Sequence, residues 1–348
     1  MAEPNLILTG FADEAANQKT IDQQFSVFAA LGLKYLSLRF IDAGNGVKNV
    51  MQLDDEEIAL VKQKLDEYGL RVSSIGSPIG KVKLLDVDDG TNNKFFPFDE
   101  YLKNQVNRAC ELANVFESKL IRGFSFYHPA GQKPEEHLDL VVEQLKAIAE
   151  CCDQSKLTFG LEVEANLVGQ NGEILQQIHQ AVGSQAMVLI FDGGNLVTQG
   201  YSATQVFEQY EKMKAGLGWI HIKDFRVPPG MEFTGHVDEE SLKHFVPVEN
   251  GDSGHVAILR DLKGFLPELT ERMKQRGLPG VFADLEPHLK GGGQFGGLSG
   301  PDGFGVALRS FQSVCESAGI ATPLRSFCLL YTSPSPRDRT RSRMPSSA

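Results

Sequence analysis

The sequence predicts an α/β chain folded as a single (β/α)8 barrel. Three features predict it: short apolar runs recur eight times, a segment of helical spacing follows each, and ionisable residues gather where the later runs end. Strands alternating with helices pair in parallel through right-handed crossovers. Eight such units in about 320 residues fit a closed barrel, whose usual size is roughly 250 residues plus insertions. A doubly wound open sheet would want a glycine fingerprint after its first strand, and LTGFADEAANQ (8–18) lacks one. No linker divides the chain, so residues 1–325 read as one domain.

The elements follow in order. NLILTGF (5–11) precedes TIDQQFSVFAALG (20–32), where Ile21, Phe25, Phe28 and Leu31 recur at three- and four-residue steps and Gly32 closes the helix. KYLSLRF (34–40) precedes DDEEIALVKQKLDEYG (54–69), with acids in its first turn, where they complement the helix dipole, and a terminal glycine. LRVSSIG (70–76) leads to PFDEYLKNQVNRACELANVF (97–116), and KLIRGFSF (119–126) to EEHLDLVVEQLKAIAECC (135–152). LTFGLEVE (157–164) is followed by GEILQQIHQAV (172–182), and MVLIFD (187–192) by ATQVFEQYEKMKAG (203–216). GWIHIKD (218–224) and PGVFADLE (279–286) precede the helices 255–277 and 303–319. The extra length falls at 77–97, 225–254 and 287–303, all after strands. That is the face where barrel enzymes keep their chemistry.

Side chains alternate along a strand, so one parity faces the barrel interior. In the last four runs the apolar parity (Leu161 and Val163, Leu189 and Phe191, Ile220 and Ile222, Ala283 and Leu285) suits packing on helices. The other parity carries Glu162 and Glu164, Asp192, His221 and Lys223, and Asp284 and Glu286. Glu162, Asp192 and His221 are spaced by one strand–helix unit each, and Glu286 follows after one unit plus the 225–254 insertion. They therefore end neighbouring strands and converge. A single Glu or His at a strand end is more often a cap or a satisfied polar residue. Three unpaired buried carboxylates, however, would repel one another and lose hydration. A divalent cation resolves this, and three carboxylates with one imidazole suit Mn²⁺, Mg²⁺ or Co²⁺ better than a thiolate-rich zinc site. Glu164 shares the parity of Glu162 and is an alternative ligand. Asp284 is expected one layer deeper, paired with a residue such as Arg122.

Composition narrows the partners. The chain of 348 residues carries a net charge of −11. Residues 328–348, CLLYTSPSPRDRTRSRMPSSA, have no apolar periodicity and resemble a translated sequencing adapter, so they are expected to be a non-native, disordered tail. The four arginines and one aspartate of that tail contribute +3, which leaves −14 on the remainder. So acidic a surface argues against nucleic acid. Cys110, Cys151, Cys152 and Cys315 form no CxxC pattern and read as reduced core thiols. The N-terminus has no basic n-region, and no stretch approaches the roughly 18 apolar residues of a membrane span. A cytoplasmic protein is expected.

At GFADE (10–14), LGLKYLSLR (31–39), VSSIGSPIGKV (72–82), LIRGFSFY (120–127), LEVEAN (161–166), FDGGN (191–195), HIKD (221–224) and DLEPH (284–288), the chain resembles the sugar phosphate isomerase/epimerase family. That family has the xylose isomerase-like TIM barrel and is related to the ketose 3-epimerases. The resemblance spans the chain to about residue 320, with HIKD shared across the wider superfamily and VSSIGSPIGK and FSFY more specific. It implies metal ligands at Glu162, Asp192, His221 and Glu286, with Glu162 and Glu286 doubling as the acid–base pair. It also implies an enediolate formed by removing a proton beside a carbonyl. The chain departs from the 3-epimerases at Asn195, where they carry a substrate-binding histidine. It has only an approximate counterpart, Arg226, of their arginine beyond the strand-seven histidine, and the 225–254 insertion is long for a simple epimerase.

Weaker signals remain. Gly291, Gly293 and Gly296 spell GxGxxG, but the motif follows the last strand, so a phosphate-gripping loop or a lid is expected rather than a dinucleotide site. His128 and His288 lie two residues past strand ends and could contact substrate; the alternative is surface histidines. Lys223 and Arg39 point inward at strand tops and could bind hydroxyls or a phosphate. Lys81 reads as an ordinary loop lysine, and His236, His244 and His255 as solvated insertion residues.

The expectation is a metal-dependent isomerase or epimerase acting on a sugar or sugar phosphate, with no nucleic-acid or membrane partner and with further copies of itself, in a homo-oligomer, as the candidate protein partner. A lyase or dehydratase on the same barrel is the nearest enzymatic alternative. A non-catalytic carbohydrate-binding barrel is the other, and it would predict a damaged ligand set. Apurinic endonucleases share the barrel but need extra histidines, which the ends of runs two and three lack.

Overall fold

The computed structural model describes residues 5–235, 237, 243–291, 293 and 296–325. The 328–348 tail, His236 and part of the glycine loop lie outside the described residues. Eight strands form one sheet: β1 (Ile7–Gly10), β2 (Tyr35–Leu38), β3 (Arg71–Ile79), β4 (Leu120–Gly123), β5 (Thr158–Glu162), β6 (Met187–Asp192), β7 (Leu217–Ile222) and β8 (Phe282–Leu285). Their order is β1-β8-β7-β6-β5-β4-β3-β2, and all neighbours run parallel. The barrel is nearly closed, because β1 and β2 meet across the seam through the bridge between Phe11 and Ser37. The expected (β/α)8 barrel is therefore the observed fold.

The helices form where periodicity and caps coincide. The Asp54 side chain accepts from Glu57 N while the Glu57 carboxylate accepts from Asp54 N, a reciprocal cap for helix Asp55–Tyr68. That helix ends on Gly69 at φ 63°, a left-handed conformation glycine adopts without steric cost. The expected helix 97–116 is interrupted: Phe98–Tyr101 and Asn107–Val115 flank a π-helical turn, Leu102–Val106. Tyr101, just before that turn, is buried and accepts a hydrogen bond from Gly80 N (2.8 Å). The second apolar run is shorter than expected, since Phe40–Asp42 leaves the barrel to pair with Val47–Asn49 as a small hairpin.

One apolar cluster extends from Leu6 to Ile320, between the strands and the surrounding helices. Inside the barrel, below the strand tops, the layer is polar: Thr9, Ser37, Ser73 and Ser74 share hydroxyl hydrogen bonds of 2.7–3.0 Å. Among the described residues no helix is long and apolar enough to cross a membrane. The described part of the 225–254 insertion contains a strand pair. Asp224–Phe225 pairs antiparallel with Phe245–Val246, which carries this segment back over the strand tops.

Candidate metal centre and its cavity

The strand register assembles the cluster. Asp192 on β6 and Asp284 on β8 both stand opposite His221 on β7. Glu286, two residues beyond Asp284, rises one layer higher, and its N–H donates to Ile222 O (3.1 Å). Glu162 ends β5 on the same interior parity. His221 Nδ1 consequently lies 3.0 Å from Glu162 Oε1, 3.7 Å from Glu286 Oε2 and 3.9 Å from Asp192 Oδ2. One potential ligand atom from each of the four falls within 4.8 Å of all the others, and all four residues are buried. Phe11 packs edge-on against the His221 ring, with centroids 5.3 Å apart.

Cations hold the carboxylates from outside. Arg122 donates to Glu162 Oε2 (3.1 Å). The Lys223 ammonium lies 3.1 Å from both Asp192 Oδ2 and Glu286 Oε2. Arg39 bridges Asp13 (2.9 Å), Glu14 (2.5 Å) and Glu286 (2.5 Å). His288 hydrogen-bonds Glu14 (2.9 Å), and its Nε2 is 3.6 Å from Glu286. Burial raises the Glu162 carboxyl, but His221 and Arg122 outweigh it and bring it down to about 2. Burial opposes ionisation of Glu286 too, and Lys223, His288 and Arg39 overcome it, leaving this group well below the usual carboxylate range. Asp192 goes the other way: burial pushes it up to about 6 despite Lys223.

The residues fit a divalent cation. Asp192 Oδ2 is buried and accepts no hydrogen bond; Lys223 stands near it without hydrogen-bonding geometry. Buried polar atoms normally find a partner, so this oxygen marks a missing one. Carboxyls also outnumber permanent cations here: Asp13, Glu14, Glu162, Asp192, Asp284 and Glu286 face Lys19, Arg39, Arg122 and Lys223. A cation of charge +2 bound by Glu162, Asp192, His221 and Glu286 would redress that imbalance.

Above the cluster opens a cavity of about 330 Å³, at the small end of the range for ligand pockets. Arg39, Glu164, Asn195, Lys223, Glu286 and His288 line it, as the strand-end argument expects. Asn195 is buried, donating to Glu162 Oε1 (3.3 Å) and Val163 O (3.0 Å). Glu164 does not join the four; it pairs with Lys81 at the mouth (3.0 Å). His128 and Arg226 are not among the lining residues: His128 Nδ1 contacts Pro129 O (3.0 Å), and Arg226 Nε donates to Asn250 O (2.7 Å).

Four expectations need correction. Asp284 does lie one layer deeper, but it accepts from Ser37 (2.5 Å) and Trp219 (3.3 Å), not from Arg122. Three strands separate β8 from β4 in the sheet order, whereas β4 adjoins β5, so Arg122 meets Glu162 instead. Lys81 is no ordinary loop lysine, since it lines the cavity and stands 4.3 Å over the Phe124 ring. His255 is buried rather than solvated, with Nε2 3.1 Å from Lys223 O. His244 is half-buried, its ring edge-on to Phe225. Sequence reasoning also missed Asn166, whose side-chain amide clasps Val237 of the insertion through two hydrogen bonds (3.0 and 3.1 Å). Its position just past LEVE, at φ 66°, was the available signal, because asparagine tolerates that conformation better than most residues.

A family model described as xylose isomerase-like TIM barrel matches residues 25–291. The chain belongs to this family. Solved structures similar to it include a xylose isomerase-like TIM barrel protein from Mycobacterium smegmatis in complex with magnesium, at 17% identity and a TM-score of 0.58, covering 92% of this chain and 98% of that one. A D-tagatose 3-epimerase-like protein is similar at 17% identity and a TM-score of 0.56, over 90% of this chain and 97% of that one. The probable 3-DHS dehydratase AsbF from Bacillus anthracis is similar at 15% identity and 0.53, over 82% and 93%. At such identities these likenesses speak for the fold. No curated protein matches the chain in sequence.

Proposed function

We propose that this xylose isomerase-like barrel is a divalent-metal-dependent isomerase or epimerase of an uncharged, monosaccharide-sized sugar. The observation that carries the reading is the buried set Glu162, Asp192, His221 and Glu286, with Asp192 Oδ2 unpartnered, at the floor of a small polar cavity. A cation bound there would act as a Lewis acid on adjacent substrate oxygens, easing removal of the proton beside a carbonyl. Glu162 and Glu286 are both held ionised, the state a proton acceptor needs, so either can take the proton from the carbon beside the carbonyl, and the carboxylic acid formed in that step is the group that can hand the proton back. Asn195 and Arg122 fix the Glu162 carboxylate, while Lys223 and Arg39 fix that of Glu286. The insertion, tied down at Asn166, and the Phe245 ring wall the cavity and limit water.

An uncharged substrate is favoured because the lining Arg39, Lys81, Arg122 and Lys223 are all ion-paired with carboxylates. A phosphate would have to displace one of these pairs. The test is to incubate the metal-supplemented protein with free ketoses and their phosphates in D₂O and follow the sugar by NMR. Deuterium should enter the carbon beside the carbonyl of a free ketose, and not with Glu162→Gln. Loss of water from the substrate would reassign the chain to the lyases. No exchange with any sugar, from a protein that also takes up no metal, would leave a carbohydrate-binding barrel.

A further inference from the structure

The opposite end of the barrel holds a second cavity, of about 380 Å³, where β2, β3, β4 and β8 begin. Its basic groups are Lys34, Arg71 and Lys119, and Glu117 is the one carboxylate among its lining residues. No carboxylate pairs with Lys34 or Lys119 among the described residues; the Lys34 ammonium lies over the Tyr35 ring at 5.2 Å. The one carboxylate Arg71 pairs with among the described residues is Asp66 (2.9 Å), and it also donates to Leu70 O (3.1 Å); both side chains of the pair are half or more exposed, where an ion pair contributes little. The walls are apolar: Phe116, Leu278 and Phe282 are buried, and Tyr35 meets Phe282 edge-on at 4.9 Å. Phe282 in turn stacks on Trp219, with centroids 4.5 Å apart, so the floor is braced from inside the barrel.

Unpaired ammonium groups gathered at one concave site are unexpected in a chain of net charge −11. Exposed lysines spread singly would need no account, but here two lysines and an arginine line one pocket with an aromatic floor. We propose that this cavity binds a small organic phosphate, its head between Lys34, Arg71 and Lys119 and its flat apolar body against Phe116, Leu278 and Phe282. Positive charge focused in a concave, low-dielectric site attracts such an anion, and the aromatic floor adds apolar contact. The site is distinct from the metal cavity, which shares none of its lining residues.

Phenyl phosphate is the probe, since it carries both halves; inorganic phosphate and benzyl alcohol carry one each. Calorimetric titration of the full chain should show one site for phenyl phosphate, weaker binding of inorganic phosphate and none of benzyl alcohol. Lys34→Glu and Lys119→Glu should each weaken phenyl phosphate on the order of tenfold, and added salt should weaken it further. Glu117→Gln should tighten it, an effect no misfolded variant would mimic. Glu286→Gln, at the other end of the barrel, should leave it unchanged. Absence of binding, binding indifferent to all three charge changes, or binding abolished by Glu286→Gln would overturn the proposal.

Discussion

At the C-terminal end of the barrel, Arg39, Lys81, Arg122 and Lys223 line a cavity, and each is bound to a carboxylate. At the N-terminal end, Lys34 and Lys119 line another, and among the described residues neither is. The two cavities are close in size, so volume does not distinguish them; the placement of acids does. Glu162, Asp192 and Glu286 stand at or just past the ends of their strands, where alternation turns them inward together. At the strand starts the same parity rule brings in Tyr35, Phe282 and Ser73. An excess of buried carboxylates calls for a cation, and an excess of ammonium groups calls for an anion.

The sharpest way to break this contrast is at Glu162. Glu162→Gln is nearly isosteric, and turnover should fall by about 10²–10⁴, the usual worth of a positioned acid–base group. Unchanged turnover in a steady-state assay would move the chemistry elsewhere. Acidity comes next. Asp192 is raised to about 6 by burial, so above that pH it is ionised and able to ligate, and below it protons compete. Metal affinity should therefore drop as pH falls through about 6, by up to about tenfold per pH unit for one competing proton. Titrations at several pH values would reveal a flat profile if Asp192 takes no part.

Smaller effects should come from the walls. Asn166→Ala removes two hydrogen bonds to Val237, worth about 0.5–1.5 kcal/mol each, and should raise KM several-fold with little change in kcat. Equal loss in both constants would mean that the clasp acts on the reacting groups instead. Arg226→Ala should change the kinetics least, less than about twofold, because surface substitutions away from a site usually cost little. A large loss would return Arg226 to the substrate-binding role that the family resemblance implies.

Much of this was legible in the sequence. Alternation in LTFGLEVE and, apart from Trp219, in GWIHIKD marks both the strands and the inward residues, and spacing by strand–helix units brings Glu162, Asp192 and His221 together. Partner choice was not legible. Arg122 was assigned to Asp284 because parity tells which way a side chain points but not which strand faces it; sheet order decides that, and it gives Arg122 to Glu162. His255 read as solvated because it borders an insertion, yet helix His255–Gln275 starts against the C-terminal end of β7, with that ring on the Lys223 carbonyl. Lys81 and Asn166 sit in loops, where no periodicity signals that a side chain returns to the cavity.

The account rests on one claim, that Glu162, Asp192, His221 and Glu286 together hold a divalent cation. Its most direct test is to strip the protein with chelator, then titrate Mn²⁺, Mg²⁺ or Co²⁺ into wild type and into His221→Ala by calorimetry, with circular dichroism to verify folding. The account predicts one equivalent of metal in the wild type and affinity lost or reduced by more than about 100-fold in the variant, beyond what second-sphere changes typically cost. A folded wild type that binds none of these ions, or a His221→Ala variant that binds them equally well, would contradict it.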